Sequence, residues 1–146
     1  MLDEVIAEAV RRLPVDRRRI AIGGMSMGGF GAYDLANRSR RRFCAVGGHS
    51  PALWRTGGET APGAFDDADD FAGHDVIARA KALDRQPLWL DAGTEDPFDQ
   101  GDRTFVDALA AQGVDATVRR WPGGHDRAYW SSHWDEYLRF YARACR

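Results

Sequence analysis

Gly24-Met25-Ser26-Met27-Gly28 sets a serine between glycines, with the apolar run Ile20-Ala21-Ile22-Gly23 before it and a helix-forming segment, Met27 to Asn37, after it. A G-x-S-x-G segment at a strand-to-helix junction has the form of a nucleophile elbow, a turn too tight for side chains on its flanking residues. The pentapeptide alone is a weak signal in a chain with 16 glycines, so the residues that could activate the serine decide. A serine hydroxyl becomes a nucleophile when a histidine takes its proton, and that histidine needs a carboxylate to fix its tautomer and stabilise its imidazolium form. The chain supplies Asp96 in Gly93-Thr94-Glu95-Asp96-Pro97-Phe98 and His125 in Pro122-Gly123-Gly124-His125-Asp126. Serine, aspartate, histidine is one of the known chain orders of such triads.

Each member has rivals. Glu95 and Asp99 are alternative acids, but the turn residues flanking Asp96 favour it. Among the four histidines, His49 follows a strand and would line the pocket, His74 reads as a helix-start residue, and His133 falls inside the last helix. For the latter two a packing or surface role is expected. The Met27 N–H, at the start of the helix after the elbow, is positioned to donate to an oxyanion. His49, Trp54, Phe98 and Tyr129 are expected to border the acyl or leaving group.

The elements that must hold these residues follow from periodicity. Leu2, Val5, Ile6, Ala9 and Leu13 recur at helical spacing, so a first helix ends before Pro14. Strand, elbow and helix come next, with Gly28, Gly29 and Gly31 predicting close approach of backbone or substrate to that helix. Phe43 to Val46 is a second strand, and the Gly-, Pro- and Asp-rich stretch from Gly47 to Gly73 is a long excursion carrying isolated aromatics. Asp75 to Leu83 reads as a helix, Pro87 to Asp91 as a strand, Asp99 to Gln112 as a helix ended by Gly113, and Ala116 to Trp121 as a strand. A final helix from about Ala128 to Ala144 stripes Trp130, Trp134, Tyr137 and Tyr141 for packing. One helix followed by four strand–helix units predicts an α/β fold with a mostly parallel sheet of about four strands. Ser26, Asp96 and His125 all follow strands, at the carboxyl edge where such sheets bind ligands.

Ala21-Ile-Gly-Gly-Met-Ser-Met-Gly-Gly-Phe-Gly-Ala32, Gly93-Thr-Glu-Asp-Pro-Phe98 and Pro122-Gly-Gly-His-Asp-Arg-Ala-Tyr-Trp130 resemble the "Putative esterase" family of α/β-hydrolases, which includes esterase D-like S-formylglutathione hydrolases, feruloyl esterases and mycolyltransferases. The resemblance runs from about Leu2 to the C-terminus. It implies an α/β-hydrolase fold and serine-dependent hydrolysis of a small-molecule carboxylic ester or thioester, or acyl transfer, with no metal or organic cofactor. Complete members have further strands before the elbow, including the loop that gives the second oxyanion donor. This chain reaches its elbow at Ser26, so residues 1–146 are expected to form a single, N-terminally truncated domain. Lack of one oxyanion donor costs ~10²–10³ in kcat, so the competing expectation is a non-catalytic remnant.

Composition narrows the alternatives. A chain of 146 residues with 44% hydrophobic and 29% charged residues suits a globular domain, and a net charge of −2 leaves no footprint for nucleic acid. The runs Arg11-Arg12, Arg17-Arg18-Arg19 and Arg40-Arg41-Arg42 read as solvated helix ends and loops. No stretch is long and apolar enough for a membrane span, and the first helix is no export signal, which gives a cytoplasmic expectation. Cys44 reads as a buried small hydrophobe, far in sequence from Cys145 and with no metal-ligand spacing. The strand before the elbow carries a bare apolar edge, so self-association through Ile20 to Ile22 is expected.

Overall fold

The computed structural model describes residues 2–39 and 42–146. Of the Arg40–Arg42 run, Arg40 and Arg41 lie outside the described residues, and Arg42 pairs with Asp3 at 2.5 Å. Helix α1 (Leu2–Arg12) carries Asp3 and Glu4 in its first turn and Arg11 and Arg12 in its last, matching the helix dipole. It buries Ile6, while Val5 and Leu13, placed on the same stripe by their spacing, remain exposed.

Strands β1 (Ala21–Ser26), β2 (Ala45–Pro51), β3 (Leu88–Gly93) and β4 (Thr117–Trp121) form one parallel sheet in the order β1-β2-β3-β4. The register pairs Ala21 with Ala45, Val46 with Leu88, and Trp89 with Thr117. Because the sheet carries helices on its faces, β2 and β3 are buried along their whole length, and the edge strands β1 and β4 are only partly covered. Helices α2 (Met27–Arg38) and α4 (Asp99–Ala111) provide crossovers, and α5 (Arg127–Ser132) and α6 (Trp134–Ala144) close the chain.

Alternation along the strands sorts two chemistries onto two faces. Val46, Leu88 and Leu90 join Tyr33, Leu83, Phe105 and Leu109 in an apolar core. The next residues along the same strands, His49, Trp89 and Asp91, meet the phenols of Tyr129 and Tyr137 instead.

Four local expectations are corrected. The second strand begins at Ala45 and continues through Gly47-Gly48-His49-Ser50-Pro51, so the excursion starts later than Gly47. Its glycines hide the strand pattern because ring systems from the helices fill the space where side chains would stand. A Cβ at Gly48 would meet the Tyr33 ring at 2.6 Å, and one at Gly47 would collide with the Tyr141 hydroxyl. The helix expected over Asp75–Leu83 lies earlier, as α3 (Ala68–His74), since Asp67 caps it by accepting the Asp70 N–H at 2.8 Å. Turns and a 3-10 segment (Ala80–Leu83) follow, still burying Val76, Ala80 and Leu83. His74 therefore ends a helix, with Nδ1 3.0 Å from Asp34. The last helix breaks at His133, whose ring stacks on Trp121 at 3.8 Å. Finally, Cys44 is no free hydrophobe: it forms a disulfide with Cys145 across a separation of 101 residues, with Cα atoms 5.2 Å apart.

Candidate active site

β1 ends at Ser26 and α2 begins at Met27 without an intervening loop. Ser26 takes φ 54° and ψ −125°, an unfavourable left-handed backbone for a residue with a side chain. The turn is held from both sides. The Ser26 carbonyl accepts the Ala52 N–H at 3.0 Å, and Gly24 passes so near Gly28 that a Cβ would collide with its backbone. Gly29 likewise packs on Pro51, whereas Gly28 and Gly31 face open space, so the expected close approach holds at only one of the three. The Ser26 hydroxyl does not cap its own helix, which leaves it available.

The acid comes from the turn after β3. Asp96 Oδ1 accepts the Phe98 N–H at 2.8 Å, and Oδ2 lies 3.0 Å from His125 Nδ1. Its side chain is fully buried. The rivals point elsewhere: Glu95 is exposed, and Asp99 pairs with Arg103 and Arg120. Burial pushes the Asp99 carboxyl up, but the two guanidinium groups outweigh it and hold the group below its ordinary value.

His125 sits in the loop after β4, stitched to the acid turn by the Glu95 N–H on the Gly123 carbonyl at 2.9 Å. Gly123 has φ 136°, and its missing side chain makes room for the Tyr129 ring. The imidazole lies between Phe98, 5.0 Å away, and Trp130, 5.2 Å away, with Nε2 2.8 Å from Ser26 Oγ. Ser26, His125 and Asp96 thus form one continuous hydrogen-bonded line from three strand ends. The Met27 N–H belongs to the first turn of α2, where backbone donors have no helical acceptor.

The expected substrate-bordering residues divide. Trp54 and Phe98 touch each other at 5.8 Å, and Trp54 continues through Phe30 to Phe65, so the excursion aromatics pack against one another and α2. His49 and Tyr129 lie in a buried cluster around Asp91, whose importance no local motif signals. Asp91 Oδ1 accepts from Trp89 Nε1 at 2.6 Å and from His49 Nδ1 at 2.8 Å, and Oδ2 accepts the Tyr129 and Tyr137 hydroxyls, each at 2.9 Å. Burial, reinforced by the Asp91 charge, pushes both phenols up and keeps them protonated donors. The cavity opening on Ser26, about 770 Å³, is lined instead by Met25, Arg127, Trp130, Ser131 and Trp134.

Residues 2–141 match the sequence profile of the family described as "Putative esterase". The iron(III) salmochelin esterase of Escherichia coli O6:H1 is 29% identical over 134 residues, which are 89% of this chain and 32% of that protein. A solved ferulic acid esterase superposes with a TM-score of 0.77 at 26% identity, covering 98% of this chain and 59% of that one. The S-formylglutathione hydrolase of Staphylococcus aureus gives 0.76 at 25% identity, covering 96% and 58%. The chain therefore spans about a third of the curated relative and under two thirds of the two structures.

Proposed function

This chain belongs to the "Putative esterase" family, and from that membership we propose that it hydrolyses a carboxylic ester or thioester through an acyl-enzyme on Ser26. The observation that carries the reading is the unbroken line from Ser26 Oγ through His125 to Asp96, with links of 2.8 and 3.0 Å. Ser26 Oγ attacks the carbonyl carbon while His125 Nε2 accepts its proton, and the Met27 N–H donates to the oxygen that becomes negative. Collapse of the tetrahedral species breaks the bond to the leaving oxygen or sulfur, which takes the proton back from His125. Water, deprotonated by the same nitrogen, then releases the acid and restores Ser26. Asp96 holds Nδ1–H toward itself and stabilises each imidazolium. No helix among the described residues is long and apolar enough to cross a membrane. The Cys44–Cys145 bond favours an oxidising compartment as the site of action over the cytoplasmic one.

A fluorophosphonate probe tests the reading on the intact chain. Labelling that disappears in Ser26→Ala and His125→Ala supports it. A folded parent that takes no label is the result that overturns it.

A further inference from the structure

The cavity that opens on Ser26 carries one formally charged side chain on its lining, the guanidinium of Arg127. The remaining wall is Met25, Trp130 and Trp134, with the hydroxyls of Ser26 and Ser131. We propose that Arg127 selects an ester or thioester bearing a carboxylate, held between the guanidinium and the two indoles; the proposal rests on Ser26 as nucleophile.

Many arginines elsewhere in the molecule are held in ion pairs. Arg38 pairs with Asp34, Arg42 with Asp3, Arg55 with Glu59, and Arg103 and Arg120 with Asp99. Arg127 is exposed and has no ion pair or hydrogen bond to any other described residue. Helix stability does not explain it either, because a cation in the first turn of α5 opposes the helix dipole.

The charge is also presented from a fixed support. Asp126 caps α5 by accepting the Tyr129 N–H at 2.9 Å, and the Tyr129 hydroxyl is anchored on buried Asp91. The backbone that carries Arg127 is thus held at both ends of one turn, so the ordering left for binding is confined to the side chain. A guanidinium fork can hold both carboxylate oxygens at once, beside the flat faces of the indoles. The cavity volume of about 770 Å³ has room for an aromatic ester.

Two matched pairs test the idea and locate the charge. One pair is 4-acetoxybenzoate and 4-acetoxybenzamide, with the carboxylate on the leaving group. The other is monophenyl succinate and phenyl succinamate, with the carboxylate on the acyl group. The parent chain should prefer the anionic member of one pair by about tenfold in kcat/KM, through KM. Arg127→Gln should collapse that ratio toward one, and Arg127→Lys should retain part of it. No preference in either pair, or a ratio unmoved in Arg127→Gln, overturns the proposal. Calorimetric binding of 4-hydroxybenzoate and succinate to the parent, Ser26→Ala and Arg127→Gln chains gives a readout independent of turnover. Binding of either that weakens severalfold only in Arg127→Gln supports the carboxylate site even if no ester is cleaved. Equal binding of both in all three chains overturns it whatever Ser26 does. Failure of Ser26 to take the fluorophosphonate label bears on the nucleophile alone.

Discussion

At the scale of single residues, the hydrogen-bonded line of Ser26, His125 and Asp96 is legible because each member stands in its own turn motif, and the turn chemistry around Asp96 separates it from Glu95 and Asp99. Asp91 was not legible, since its donors come from positions 49, 89, 129 and 137 and only folding assembles them. Asp102 is a second buried acid of this kind. Neither of its carboxyl oxygens has a hydrogen-bond partner among the described residues, and burial, followed by the charges of Asp96, Asp99 and Asp91, pushes the group up to about 9. Its folded-state value lies above its unfolded one, so the unfolded chain releases this proton at neutral pH while the folded chain keeps it. The contribution to stability is full below about pH 4 and is lost as pH rises toward 9. Asp102→Asn should therefore raise stability at pH 7 by roughly 1–3 kcal/mol and flatten its slope between pH 5 and 8. Urea midpoints across that range would reveal a slope unchanged by the substitution if Asp102 were not responsible. On activity, Asp96→Asn should lower kcat by up to ~10⁴ while leaving the fold intact, read by ester turnover and circular dichroism.

Elements were legible where side chains repeat and obscured where glycine or a cap intervenes. Strands β1, β3 and β4 and helices α2 and α4 lie within a few residues of their expected places. β2 runs longer than its sequence pattern suggests because the phenols of Tyr33 and Tyr141 occupy the space over its glycines. The Tyr33 hydroxyl accepts the Gly48 N–H at 3.1 Å and donates to the Trp89 carbonyl at 2.6 Å, tying α2 to the two central strands. Tyr33→Phe leaves both backbone groups without this partner and should cost about 1–3 kcal/mol in chemical denaturation. The elbow itself should be more sensitive. Gly24→Ala places a methyl against the Gly28 backbone, so Ser26 must shift. Fluorophosphonate labelling is expected to fall more than tenfold, because an ångström of misplacement costs about 10² in rate. Parent-like labelling of that variant would show the elbow tolerates the contact.

For the molecule as a whole, strand and helix order predicted the parallel sheet, but nothing local announced that Cys44 and Cys145 meet. Their separation of 101 residues hides a contact made only when α6 returns to the start of β2. Closing so long a loop restricts the unfolded chain, so reduction or Cys44→Ala with Cys145→Ala should lower stability by about 2–4 kcal/mol. At the opposite margin, β1 is an outer strand, with Ile20 and Ile22 only partly buried. Sedimentation is expected to show a mass that rises with concentration, and a monomer at all concentrations would remove the edge as a contact. The carboxylate of Asp91 joins β2, β3, α5 and α6 through one buried point. Those four segments therefore should not open separately: amide exchange in α5 and at the central strands should report one common opening free energy, so loss of the short helix that follows His125 is as rare as loss of half the sheet.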